Sequence, residues 1–154
     1  TYRYAKLKDH TSRETCVNFY VSQVDAINNW DLVDLSCYKI LGHWLFDKDK
    51  QLLYDWAKEN HLWKQRIAII SCMHFVKQGE FKDALAIADL LQHHPHDLIH
   101  KAVGWILREI GKEDEQLLVD YLTPRYKEMP RTMLRYAIER FEEGKRKAFI
   151  NSTI

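Results

Sequence analysis

The chain has 154 residues, 46% of them hydrophobic and 29% charged, a composition that fits one compact soluble domain with its own core and excludes a disordered chain. Lys and Arg number 23 against 22 Asp and Glu, a formal net charge of +1, so bulk charge selects no partner and any binding patch must be local. Three cysteines without CxxC spacing (Cys16, Cys37, Cys72) fall in apolar periodic stretches, which predicts reduced, buried thiols and a cytoplasmic protein. Apolar runs are too short for a membrane span, and no charged-then-apolar leader opens the chain. Thr1 stands where a Met would begin a complete chain, and the helical pattern starts almost at once, so the sequence reads as a piece of something longer.

Five glycines and three prolines leave little material for hairpins, and the periodicity is helical from end to end. Thr11 and Glu14 form a T-x-x-E capping box ahead of a helix whose stripe is Cys16, Phe19, Tyr20, Val24 and Ile27. After Asn28 and Asn29 a second helix runs over residues 30–45, apolar over most of its circumference and therefore expected to be buried. Shorter and longer helices follow over residues 49–58 and 62–77, the latter capped by Gly79. Two more cover residues 81–91 and 97–110, with Asp97 as the expected cap and Gly111 as the stop; another covers 113–122. The last, over 130–141, opens on Pro130 and closes at Gly144. About eight helices alternate short and long, the longer ones recurring every thirty-odd residues. That period predicts an all-α, HEAT-like α-solenoid of antiparallel helix pairs, whose curvature makes a concave binding surface.

Several residues disagree with the faces they occupy. In the helix over 97–110 the core stripe is Ile99, Val103, Ile106, Leu107 and Ile110, while Trp105 lies opposite with Lys101 four residues before and Arg108 three after. Trp105 either packs against a neighbouring helix or offers a stacking and cation–π surface. Asp34 has Trp30 at i−4, Tyr38 at i+4 and Leu41 at i+7 on its own face; it either favours the helix N-terminus through the dipole or is poised for a cation. Arg66 opens an apolar helix and needs an anion, an internal carboxylate or an external phosphate. In the last helix Met133, Leu134, Ala137, Ile138 and Phe141 form the core stripe and leave Arg131 and Arg135 on another face, where Arg135 can pair with Glu139. His93, His94, His96 and His100 lack a spacing that sets three ligands on one helical face, so no metal site is expected. Gly-rich phosphate loops and Ser or Cys nucleophile signatures are missing.

Four blocks in series, NNWDLVD at 28–34, WKQRIAI at 63–69, KAVGWILRE at 101–109 and MPRTMLRYA at 129–137, resemble the AlkD-like DNA alkylation repair family. The resemblance implies a HEAT-like fold and a monofunctional DNA glycosylase, a monomer without cofactor, that excises cationic N3- or N7-alkylated purines from double-stranded DNA. It places the catalytic carboxylate on Asp34, its partner tryptophan on Trp30, the second tryptophan on Trp105 and a backbone-contacting arginine on Arg66. Lys101, Arg108, Arg131 and Arg135 are then candidates for phosphate contacts, with salt-dependent, largely sequence-independent binding. It also implies further N-terminal helices, making residues 1–154 a single helical-repeat domain from the C-terminal part of such a protein. The alternative is a non-catalytic HEAT-like module that binds DNA or a protein.

Overall fold

The computed structural model describes residues 1–153, whose regular structure is entirely helical. A short α1 (Tyr2–Lys6) precedes α2 (His10–Ser22), a 3-10 turn at Val24–Ala26, α3 (Trp30–Cys37), a π turn at Tyr38–Gly42 and α4 (His43–Leu45). Then come α5 (Gln51–Lys58), α6 (Leu62–Ser71), α7 (Met73–Lys77), α8 (Lys82–Leu91), α9 (Asp97–Glu113), α10 (Glu115–Leu122), α11 (Arg131–Ala137) and α12 (Glu143–Asn151). The helix expected over 30–45 is thus one rod with a π turn in its middle, and the one over 62–77 is a rod interrupted at Cys72.

The rods stack in two layers. In one, α3 packs on α6, α6 and α7 pack on α9, and α9 packs on α11; in the other, α5 lies against α6 and α8, while α8 and α10 lie against α9. The repeat is visible in the bonds that tie successive units. Asp34 to Arg66, Gln65 to His94, Arg66 to Leu98, Asp89 to Tyr121 and Arg108 to Glu139 are hydrogen bonds between residues 29 to 32 apart. A helix-pair repeat of thirty-odd residues, the solenoid read from the sequence, produces that register. All five stripe residues of α9 are fully buried, each contributing roughly 1.5–3 kcal/mol of apolar burial. The stripe of the last helix is buried as expected too, although α11 ends at Ala137 and Ile138 and Phe141 lie in the turn beyond it.

The first two helices depart from expectation. Asp9, not Thr11, caps α2: its Oδ1 accepts from the Ser12 N–H at 2.8 Å, and that bond pulls the carboxyl below its ordinary pKa. Phe19 is 67% exposed and Val17 is the buried residue of α2; Trp30, Leu32 and Leu35 on α3 are also more than half exposed. Helix α3 packs chiefly on α6, α2 touches α4 and meets α3 through the Tyr20–Ser36 hydroxyl bond, and each buries a narrower stripe than its apolar content suggests. Two glycines expected as stops lie inside helices, Gly111 in α9 and Gly144 in α12. Gly79 does close α7, at φ +80°, a left-handed conformation that costs other residues about 1–2 kcal/mol. The α9 cap is His96, whose Nδ1 accepts from the Leu98 N–H at 3.1 Å, leaving Asp97 as the first helical residue. Cys37 and Cys72 are buried and Cys16 is half-buried, all as free thiols. Among the described residues no helix is long and apolar enough to cross a membrane.

Candidate functional site

Asn29 starts α3: its side-chain oxygen accepts from the Asp31 N–H at 3.0 Å and fixes the first turn. Trp30 is the first helical residue and Asp34 lies one turn on, so the indole and the carboxylate share a face. That face looks across the stack to α6. Arg66 on α6 is only 5% exposed and makes a two-pronged pair with Asp34: Nε donates to Oδ1 at 2.9 Å and Nη2 to Oδ2 at 2.7 Å. The third prong, Nη1, donates to the Leu98 carbonyl in the first turn of α9. The anion that Arg66 requires is therefore internal. These bonds use three of the five guanidinium N–H groups.

Around this pair opens a shallow cleft of about 400 Å³, walled by Trp30, Trp105 and Tyr136 and edged by Lys101 and Arg108. Trp105 is half-buried, so the packing reading and the surface reading of this residue each hold in part: one portion of the ring rests on the core while another lines the cleft. Gly104 makes the arrangement possible. A Cβ there would come within 2.6 Å of the Met133 carbonyl oxygen and 2.5 Å of the Tyr136 Cβ, so only glycine lets α11 approach α9 closely enough to set Tyr136 beside Trp105.

The cations at the rim are already engaged. Lys101 Nζ lies 2.7 Å from Asp97 Oδ2, one turn back on α9; the bond raises the lysine pKa and lowers that of the aspartate. Arg108 pairs with Glu139 from the turn after α11 and with Glu109 at 3.5 Å. Glu139 is thus taken by Arg108 rather than by Arg135. Arg131 and Arg135 lie outside the cleft: Arg131 Nη2 donates to the Ile150 carbonyl at 3.0 Å, and Arg135 is exposed beside Arg146. Tyr38, one turn beyond Asp34, does not line the cleft. The histidine cluster is absorbed locally. His94 Nε2 meets Gln65 Oε1 at 2.9 Å, His100 meets the His94 carbonyl at 2.5 Å and His96 caps α9; among the described residues no group of three His, Cys, Asp or Glu is placed to hold a metal.

Tyr136, the Leu98 carbonyl and the Glu139 counter-charge were not legible as site features from patterning alone. The repeat register carries the missing signal: Tyr136 is 31 residues after Trp105, and Glu139 31 after Arg108, the same step that joins facing positions elsewhere in the stack.

The fold and cleft together define a two-layered helical-repeat protein with a fixed carboxylate beneath exposed aromatic faces and a basic rim, a build suited to a ligand that is cationic at its centre and anionic along its length. Residues 2–141 match the family described as DNA alkylation repair enzyme, and the chain belongs to that family. The resemblance drawn from the four sequence blocks is borne out, and the family indicates a DNA substrate and a role in alkylation repair. No curated protein matches the chain significantly.

Proposed function

We propose that the protein is a monofunctional DNA glycosylase that removes cationic N3- or N7-alkylated purines from duplex DNA, with Asp34 as the catalytic carboxylate. The observation that carries this reading is the placement of Asp34 at the floor of an open cleft between Trp30 and Trp105, held by both prongs of Arg66.

An alkylated purine with a positive charge is already a good leaving group, so the glycosidic bond needs no general acid. As it lengthens, positive charge moves onto the deoxyribose. An ionised carboxylate fixed in advance stabilises that charge without reorganising, a contribution on the order of 10²–10³ in rate when such a group is removed from an active site. Asp34 also orients the attacking water. The faces of Trp30 and Trp105 add cation–π attraction of about 0.5–2 kcal/mol each. Arg66 acts mainly as a positioning residue: it prevents the carboxylate from turning away, and its two remaining N–H groups face a phosphate near the lesion. Lys101, Arg108, Arg131 and Arg135 supply the other phosphate contacts, Lys101 and Arg108 by exchanging their present carboxylate partners for DNA. A shallow cleft suits recognition of the lesion through its backbone rather than extrusion of the base into a deep pocket.

The charge of the base is the decisive variable. Under single-turnover conditions, a duplex carrying 7-methylguanine should release free base while the same duplex carrying neutral O6-methylguanine should not. Release of both, or of neither with DNA affinity retained, contradicts the proposal; the second result favours a binding module.

A further inference from the structure

A second open cavity, of about 340 Å³, lies between α2, the end of α4 and α7. It shares no lining residue with the Asp34 cleft. His43 is nine residues beyond Asp34 along one rod and His74 eight beyond Arg66 along the next, which puts the cavity about 12–14 Å further along both, at an edge of the stack. Its volume falls at the lower end of the roughly 300–1,000 Å³ of small-ligand sites.

Its basic lining residues are Lys8, His10, Arg13, His43, Lys48 and His74, set around Trp44 and Phe46, with Asp47 as the single carboxylate. Asp47 is occupied by Lys48, 2.8 Å away. Lys8 and Arg13 form no ion pair among the described residues; Arg13 spends its Nε–H on the Leu7 carbonyl at 2.9 Å. The contrast with the catalytic cleft is direct, because there Lys101 and Arg108 are matched by Asp97, Glu109 and Glu139, whereas here positive charge exceeds negative. The geometry is also braced. Trp44 has the His10 ring at 4.7 Å and the Lys48 ammonium 4.3 Å from its ring centre, and the Tyr4 hydroxyl meets His43 Nδ1 at 2.9 Å. The His43 and His74 rings stand 5.1 Å apart, edge to face. Burial holds both below the ordinary imidazole pKa: Arg13 and Lys48 push His43 the same way against Asp47, and His43 and Lys77 do so for His74. At neutral pH the two rings are therefore uncharged neighbours that can each present an N–H.

We propose that this edge cavity is a phosphate site, in which Lys8, Arg13 and Lys48 hold the anion and His43 and His74 donate to its oxygens. Lys8 and Arg13, which form no ion pair among the described residues, neutral N–H donors and an open mouth suit a phosphate, and only Lys48 turns to it from an existing carboxylate partner, Asp47. The phosphate comes either from a strand of DNA running along the edge of the stack or from a small phosphate ester.

Two measurements on the protein and its Lys8→Gln/Lys48→Gln variant decide the matter, with Lys8→Gln alone as a milder second variant. In the first, inorganic phosphate and then deoxyadenosine 5′-monophosphate are titrated while the imidazole NMR signals are followed. Saturable movement of the His43 and His74 signals, with His94 as the unmoved control, and at least tenfold weaker binding by the double variant are expected. In the second, affinity for undamaged duplex is measured against salt. If a strand phosphate occupies the cavity, each lysine removed makes the slope of log Kobs against log salt shallower by about 0.9, so the double variant by about 1.8. A changed slope assigns the site to DNA; saturable shifts with an unchanged slope assign it to a small phosphate ester. No shift and no change of slope, or equal binding by the variants, overturns the proposal. Neither readout uses base release, so the outcome is independent of the reading of the Asp34 cleft.

Discussion

Replacing Asp34 by Asn keeps the side-chain shape but removes the negative charge from a pair that is almost out of water, the two side chains being 6% and 14% exposed for Arg66 and Asp34. The guanidinium would then stay buried with the Leu98 carbonyl and one amide oxygen as its acceptors. Removing one member of a buried, hydrogen-bonded ion pair costs about 3–5 kcal/mol. For a domain of this length each kcal/mol lowers Tm by about 2–4 °C, so a fall of roughly 6–20 °C is expected in a thermal melt followed by circular dichroism. Arg66→Met should fall by a similar amount because it strands the carboxylate. The double variant Asp34→Leu/Arg66→Met removes both charges and should recover most of the loss, since apolar replacements of a buried pair are often neutral. Single variants within about 1 kcal/mol of the parent, or a double variant as unstable as the sum of the two singles, would refute the account of how the cleft is held.

Other perturbations separate packing from chemistry. Gly104→Ala forces a methyl against the Met133 carbonyl and Tyr136, and an overpacking cost of about 1–3 kcal/mol is expected together with slower base release; an unchanged Tm would mean that α11 can retreat freely. Trp30→Ala should leave Tm nearly unchanged, because the ring is 52% exposed, yet slow release of a cationic base by roughly tenfold, the rate equivalent of about 1.4 kcal/mol. Equal rates for Trp30→Ala and parent protein would remove the indole from the mechanism. Burial lowers the folded-state pKa of His43 and His74 from 6.5, so the unfolded chain binds more protons below that value. The stability they contribute is complete above pH 6.5 and is lost as pH falls through it toward the folded values. The urea midpoint should therefore drop between about pH 7 and 5.5, and drop less in His43→Gln/His74→Gln. Identical pH profiles for the two proteins would contradict this.

The interior of the stack was readable because its helices are buried on several sides, where apolar spacing and core coincide: the α9 stripe is the case in point. The edges were less readable. Phe19, Leu32 and Leu35 look like core in a periodicity plot, but burial depends on whether a neighbouring rod covers the face, and that is a long-range fact. The interruption of the rod over residues 30–45 was invisible in the apolar spacing; the π turn there packs against α6 and α7. At the site, Asp34, Trp30, Arg66 and Trp105 stood out as residues at odds with their helices, and the cleft brings all four together. Arg131 and Arg135 stood out equally and lie outside the cleft, where Arg131 reaches the Ile150 carbonyl. Partners were the hardest to foresee. The sequence around Arg66 fits a carboxylate or a phosphate equally, and only the stacking of α3, α6 and α9 brings Asp34 and the Leu98 carbonyl to it.

The central claim is that the Asp34 carboxylate breaks the glycosidic bond of a cationic base. Its most direct test is mass-spectrometric detection of free 7-methylguanine from methylated duplex DNA, with the parent protein and Asp34→Asn compared below the melting temperature of both. Release by the parent, and at least a hundredfold slower release by a folded Asp34→Asn that still binds the duplex, is the expected result. Equal release by the two proteins, or none by a folded parent that binds DNA, would contradict it.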